Sequence, residues 1–180
     1  MGKVFIHATV TLDGFMADTD GSVDWMFGFP AADEDQAVVD RVTKDIGAVV
    51  SGSNKTQTIE DGEEPYGGTL KVPVFEMTHE PHDPIEKDGT TYTFVVNDIT
   101  KAVAQAKEVA GDKNVALLGG TIARQCLQLG LVDEIVLHVV PLLLGEGISL
   151  FGGLGKRIKL ERIDTSAYAS ETHMLYRIAK

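Results

Sequence analysis

Ala116-Leu117-Leu118-Gly119-Gly120-Thr121-Ile122-Ala123 joins two patterns at one point: an apolar run ends at a glycine pair and a helical pattern begins at once. A strand that stops at Gly-Gly ahead of a helix presents bare backbone N–H groups and the positive end of the helix dipole, an arrangement that suits a phosphate. The pair is neither the G-x-G-x-x-G fingerprint nor a lysine-bearing P-loop. Spacing alone therefore leaves two readings open: a nucleotide site, or a tight turn in which glycine relieves crowding.

Strands and helices alternate on either side of this corner. Lys3–Thr11 reads as a strand ended by Asp13-Gly14, and Phe15–Ala17 resumes it. Thr19–Pro30 reads as a loop holding the only tryptophan, Trp25. Asp33–Lys44 has an acidic first turn and a valine stripe, which predict a helix. Strands are expected at Ala48–Gly52, Val72–Thr78, Thr90–Val95 and Asn114–Leu118, with helices at Asp98–Ala110 and Thr121–Leu129. Asp61–Thr69 reads as a glycine- and acid-rich mobile loop, and His79–Gly89 as a connection. After the β-branched strand Glu134–Val140, the segments Ile158–Ser166 and Thr172–Ala179 alternate apolar and polar residues, as in an antiparallel hairpin. The pattern predicts an α/β fold with a mixed, mostly parallel sheet flanked by helices and an antiparallel C-terminal edge. Neither a repeat nor a linker divides the chain, so residues 1–180 read as a single domain.

The bulk properties narrow the function classes. The 180 residues are 43% hydrophobic and 24% charged, with a net charge of −11. An acidic chain of this kind disfavours nucleic acid and anionic membrane as partners, while leaving room for a locally positive phosphate pocket. Cys126 is the only cysteine, so no intramolecular disulfide forms, which fits a reducing cytoplasm. It falls in a helical pattern and reads as a core thiol. Neither a secretory leader nor a membrane-length apolar run is apparent.

Two more strand ends resemble the Gly-Gly corner. Gly52-Ser53-Asn54-Lys55-Thr56 offers donors and a point charge, or a simple helix cap. Thr78-His79 ends a third strand; His79 and His82 are phosphate contacts or solvated loop residues. In open α/β sheets, ligands bind beyond the carboxyl ends of the strands. Asp13 is a plain turn residue or a carboxylate at the sheet's mouth. Asp33, Glu34 and Asp35 read as solvated charges of a first turn unless one points inward, and His138 as a strand histidine on a partly buried face. No His/Cys/Asp/Glu spacing signals a zinc site, so no metal is expected.

Taken together, these segments resemble the dihydrofolate-reductase-like superfamily, and within it the bacterial group related to the reductase domain of the riboflavin-biosynthesis deaminase/reductase. The resemblance rests on Thr11-Leu12-Asp13-Gly14-Phe15-Met16-Ala17, Asp24-Trp25, Val50-Ser51-Gly52 through Thr56, and Pro73-Val74-Phe75-Glu76-Met77-Thr78-His79. It continues through Leu118-Gly119-Gly120, Leu131-Val132-Asp133-Glu134 and Pro141-Leu142-Leu143-Leu144-Gly145-Glu146-Gly147. It implies a three-layer αβα sandwich around a sheet of about eight strands, with NADPH across the carboxyl edge. Gly119, Gly120, Thr121 and Ile122 would hold the pyrophosphate. Gly52 and the turn Ser53, Asn54, Lys55 and Thr56 would contact phosphate from the other side, and Thr78 and His79 would lie near the adenosine 2′-phosphate. Asp13, Trp25, Leu144 and Gly145 would face the nicotinamide and the substrate.

The chain departs from the family in two places. Ser53 stands where the family usually has an arginine, with Lys55 two residues on, so NADH is not excluded as cofactor. The acids at 33–35 do not match the motif of true dihydrofolate reductases, which argues against dihydrofolate as substrate. The resemblance implies an NADPH-dependent reductase of a C=N or C=O group in a small heterocyclic or sugar-derived molecule. The alternatives are the riboflavin-pathway reductase, acting on a ribosylated pyrimidine phosphate, and a nucleotide-binding module without turnover. The Leu142–Leu144 run and the hairpin edge suggest a homodimer.

Overall fold

A computed structural model describes residues 2–30, 32–52 and 65–179. In chain order the elements are β1 (Val4–Thr11), β2 (Phe15–Ala17), α1 (Asp33–Thr43), β3 (Ile46–Gly52), β4 (Val74–Thr78), β5 (Ile85–Lys87) and β6 (Thr90–Val96). They continue with α2 (Ile99–Ala110), β7 (Asn114–Leu117), α3 (Gly120–Leu129), β8 (Glu134–Val140), β9 (Ile148–Ser149), β10 (Leu160–Ala167) and β11 (Thr172–Ile178).

Nine strands form one sheet in the order β10-β11-β8-β1-β7-β3-β4-β6-β5. The six from β8 to β6 run parallel; β11 and β10 extend one edge antiparallel, and β5 closes the other edge antiparallel. The fold class is the expected one, α/β with helices on a mixed sheet. Two details differ from the sequence reading. The Pro-, His- and acid-rich connection contains the short strand β5, whose partner β6 supplies the pairing that its own composition does not suggest. A second, two-stranded sheet joins β2 to β9, a short strand in the glycine-rich segment after β8 to which the sequence reading assigned no element. Trp25 lies in a 3-10 turn, Asp24–Gly28, within the predicted loop.

Parallel strands are buried on both faces, and their sequences show it. On one face Val4, Ile6, Val50 and Leu117 pack against Ala102, Val103 and Ala106 of α2 and Ile122, Ala123 and Cys126 of α3. On the other, Phe5, Val49, Ala116 and Val136 are packed by Val42 of α1, Tyr66 and Leu175. Asp98 caps α2 by accepting from the Lys101 N–H at 2.9 Å. Among the described residues, no helix is long and apolar enough to cross a membrane.

Candidate functional site

The parallel strands leave their carboxyl ends on one edge, and a cleft of about 940 Å³ opens there. Ser51 and Gly52 end β3 in it, Met77 and Thr78 end β4 with His79 next, and Leu118 and Gly119 follow β7. Gly120, Thr121 and Ile122 bring the first turn of α3 to the same wall. The facing wall is Met16 and Ala17 of β2, the loop from Thr19 to Asp24, and Ile148. The seven residues Gly52, Thr78, His79, Gly119, Gly120, Thr121 and Ile122, far apart in sequence, thus meet around one space. Ser53, Asn54, Lys55 and Thr56 lie outside the described residues, as does the first part of the Asp61–Thr69 loop.

Glycine is required at this corner for two different reasons. Gly119 has φ +91° and ψ 141°, a conformation costly for residues with a Cβ, and open space lies where that Cβ would be. Gly120 is packed instead: a Cβ there would come within 3.2 Å of the Met16 sulfur and the Ser149 carbonyl oxygen. No side chain caps α3, so the orphan N–H groups of its first turn are left for a ligand or water. Among the described residues, those lining the cleft include no lysine or arginine; the ionisable ones are Asp20, Asp24 and His79. The His79 imidazole is exposed and hydrogen-bonded through Nδ1 to Asn97 Oδ1 at 2.7 Å, which fixes its position at the mouth. The His82 ring lies 5.2 Å from that of Phe94, tilted by 56°, and does not line the cleft.

Asp13, Leu144 and Gly145 form a separate arrangement outside the cleft lining. The Asp13 carboxylate accepts from the Leu144 N–H at 3.2 Å and the Gly145 N–H at 2.8 Å, and from the Thr11 hydroxyl. The Thr11 bond, then that of Gly145, holds its carboxyl below the usual range. Asp13 therefore ties the end of β1 to the 144–145 segment as an anion. Trp25 is also outside the cleft lining, and its indole N–H is buried without a partner among the described residues. Cys126 is buried, and burial pushes its thiol up to about 12, leaving an inert core sulfur.

The α1 face of the sheet carries a group that sequence spacing did not reveal. Tyr66, His7, His138, His173 and Asp35 form a continuous chain of short contacts. Tyr66 Oη lies 2.8 Å from His7 Nδ1, and His7 Nε2 lies 2.7 Å from His138 Nε2. His138 Nδ1 lies 2.6 Å from His173 Nδ1, and His173 Nε2 lies 2.8 Å from Asp35 Oδ1. Two expectations are corrected here. Asp35 is not a solvated helix charge but a buried inward acceptor, because its turn of α1 packs over β11. His138 is fully buried rather than partly so, because β11 places His173 directly opposite it.

Each contact takes one proton, and the four are the Tyr66 hydroxyl proton and one from each imidazole. With Asp35 accepting, the direction is fixed: Tyr66 donates to His7, His7 to His138, His138 to His173, and His173 to Asp35. Burial lowers His7 to about 4. Burial, then the neighbouring His7 and His173, lowers His138 to about 3. Glu171, just before β11, has its carboxyl raised by burial, opposed by His173. The three histidines fall on three adjacent strands of one face; the signal available in sequence was only that each sits at an inward position of an apolar strand.

Residues 2–174 match the model of the RibD C-terminal domain. The chain is 29% identical over 181 residues to the uncharacterized protein YyaP of Bacillus subtilis (strain 168), covering 93% of this chain and 90% of that one. A putative riboflavin biosynthesis protein from Shewanella sp. PV-4 has the same fold, with a TM-score of 0.80 and 23% identity over 99% of both chains. The dihydrofolate reductase of Enterococcus faecalis, complexed with NADP(H) and RAB-propyl, matches with a TM-score of 0.66 and 13% identity over 99% of this chain and 98% of that one.

Proposed function

The chain belongs to the RibD C-terminal domain family, and on that premise we propose that it is an NADPH-dependent reductase acting on a C=N or C=O group of a small heterocyclic or sugar-derived substrate. The observation that carries this reading is the uncapped first turn of α3 behind Gly119, opening on a cleft shared with the ends of β3 and β4. The enterococcal enzyme of the same fold was solved with NADP(H), which supports the choice of nucleotide.

The residues fit a dinucleotide. Gly120, Thr121 and Ile122 line the cleft at the start of a helix with no side-chain cap, and their backbone N–H groups would take the pyrophosphate. His79 at the opposite mouth would take the 2′-phosphate when protonated. The bound nicotinamide supplies the hydride, and the protein's part is to orient it and exclude water. Met16, Ala17 and Ile148 give the facing wall its apolar character. Asp13 acts by holding the Leu144–Gly145 segment in place, since its two carboxylate oxygens are already occupied by that segment's N–H groups. The reading includes a homodimer in the cytoplasm, formed through the exposed Leu12 and Leu143 side chains, which are 68% and 69% accessible.

Titration with NADPH, and separately NADH, followed by nicotinamide fluorescence, tests the proposal. Micromolar NADPH binding that Gly120→Asp weakens at least tenfold supports it. Failure of the folded protein to bind either nucleotide would make the Gly-Gly corner a structural turn and end the reductase reading. Binding without turnover across a broad panel of carbonyl and imine heterocycles would favour a nucleotide-binding module instead.

A further inference from the structure

His138 of β8, His173 of β11 and Glu171, just before β11, converge at a point away from the cleft, whose lining includes none of them. His138 and His173 are directly opposite one another in the antiparallel pairing, so both rings project from the same face of the sheet. Their Nδ1 atoms are 2.6 Å apart, and Glu171 Oε2 lies 3.9 Å from the first and 3.7 Å from the second. Both histidines are almost wholly buried, while Glu171 is partly exposed.

We propose that His138 Nδ1, His173 Nδ1 and the Glu171 carboxylate form a binding site for a divalent transition-metal ion of the zinc class. Three separations of 2.6, 3.7 and 3.9 Å place the atoms on a circle of radius about 2.0 Å. That radius is the bond length of zinc to imidazole nitrogen or carboxylate oxygen, roughly 2.0–2.2 Å. One point in space is therefore at coordination distance from all three donors, and a tetrahedral ion there requires the 2.6 Å gap between the two Nδ1 atoms to widen. Two imidazoles and a carboxylate select zinc and its transition-metal neighbours over magnesium or calcium, which take oxygen donors. Three protein ligands leave at least one coordination position for water or another molecule.

The surrounding contacts are those that metal-binding imidazoles need. A ligating histidine commonly donates its other N–H to a carboxylate or another acceptor, which fixes the ring and raises its basicity. His173 Nε2 faces Asp35 at 2.8 Å, and His138 Nε2 faces His7 Nε2 at 2.7 Å, with His7 Nδ1 against Tyr66 Oη at 2.8 Å. In the metal-free chain the His138 proton sits on Nδ1, between the two rings. With the ion in that place, His138 carries its proton on Nε2 and donates to His7. His7 in turn carries its proton on Nδ1, toward Tyr66. No proton is gained or lost; His138 and His7 exchange tautomers, and His173 keeps its Nε2–H on Asp35.

The test uses untagged, chelator-treated full-length protein titrated with Zn(II) against a chromophoric chelator, and with Co(II) followed by visible absorption. The expected result is one ion per chain, with affinity lowered at least tenfold in Glu171→Gln and in His138→Gln and unchanged in His82→Ala. Nitrogen-15 spectra of the imidazoles provide a readout that needs no variant: His138 and His7 switch tautomer on Zn(II) addition, and His173 does not. Glu171→Gln, at a partly exposed position, keeps the test usable if His138→Gln fails to fold. The proposal is overturned if folded protein takes up no stoichiometric ion, or if uptake is equal in wild type and Glu171→Gln. It is equally overturned if the histidine tautomers stay fixed. None of these readouts involves the nucleotide cleft, so either proposal can fail without the other.

Discussion

His173 in β11 donates to Asp35 in α1 at 2.8 Å, and both side chains are buried. A second Asp35 oxygen accepts from the Ser170 N–H at 3.2 Å, so the carboxylate fastens α1 to the C-terminal hairpin through two bonds. Asp35→Asn replaces one acceptor oxygen with an N–H₂ group that faces another donor. A buried donor left unmatched costs about 1–3 kcal/mol. Urea denaturation of Asp35→Asn is expected to show a loss of that size; a midpoint equal to wild type would mean that the contact contributes nothing to stability.

Burial keeps His7 and His138 neutral down to about 4 and about 3, whereas in the unfolded chain both titrate near 6.5. Below pH 6.5 the unfolded state therefore takes up protons that the folded state refuses. Stability is expected to be flat above about pH 7 and to fall with pH between 6.5 and 4, by about 1.4 kcal/mol per unit for each histidine. Denaturant midpoints at pH 7.5, 6 and 5 measure it. Replacing His7 with glutamine should reduce the slope; an unchanged midpoint from pH 7.5 to 5 would contradict the burial argument.

Gly119 and Gly120 should respond differently to alanine. At Gly119 the φ of +91° imposes backbone strain of about 1–3 kcal/mol on any L side chain, with no clash. At Gly120 the new methyl presses on Met16 and Ser149. Gly119→Ala should lower the melting temperature and reorient the first turn of α3, weakening NADPH binding about tenfold. Isothermal titration against both nucleotides reads this, and unaltered affinity would separate the turn from the cofactor.

His79 is the cleft-lining imidazole, and no lysine or arginine accompanies it among the described residues. His79→Ala should cut NADPH affinity about fivefold to tenfold at pH 6 and leave NADH affinity unchanged. Equal losses for the two nucleotides would place His79 away from the 2′-phosphate.

Leu12 and Leu143 stand exposed on adjoining segments, linked by the bond from the Leu12 N–H to the Leu142 carbonyl. Light scattering after size exclusion should give a dimer at tens of micromolar, and Leu143→Asp should shift it toward monomer. A wild-type monomer under those conditions would remove the homodimer from the proposal.

The α/β architecture was legible in the sequence because it is carried by local periodicity. β-branched runs buried on both faces, helical stripes between them and glycines at their ends gave the parallel core and the C-terminal hairpin. The Gly119-Gly120 corner was legible for the same reason: chain direction alone puts a strand end against a helix start. β5 and β9 were not, because strands of three and two residues owe their form to a pairing partner rather than to their own composition. Nor were the roles of His7, His138, His173 and Asp35. Strand alternation marks a residue as inward but does not say which residue of which neighbouring strand it will meet. That is decided by strand order and register, which set β1, β8 and β11 side by side, His173 opposite His138, and α1 above them. Sequence specified the elements through local backbone preference and burial; tertiary structure alone decided the contacts among buried polar groups, because those depend on non-local pairing, across 131 residues for His7 with His138 and 35 for His138 with His173.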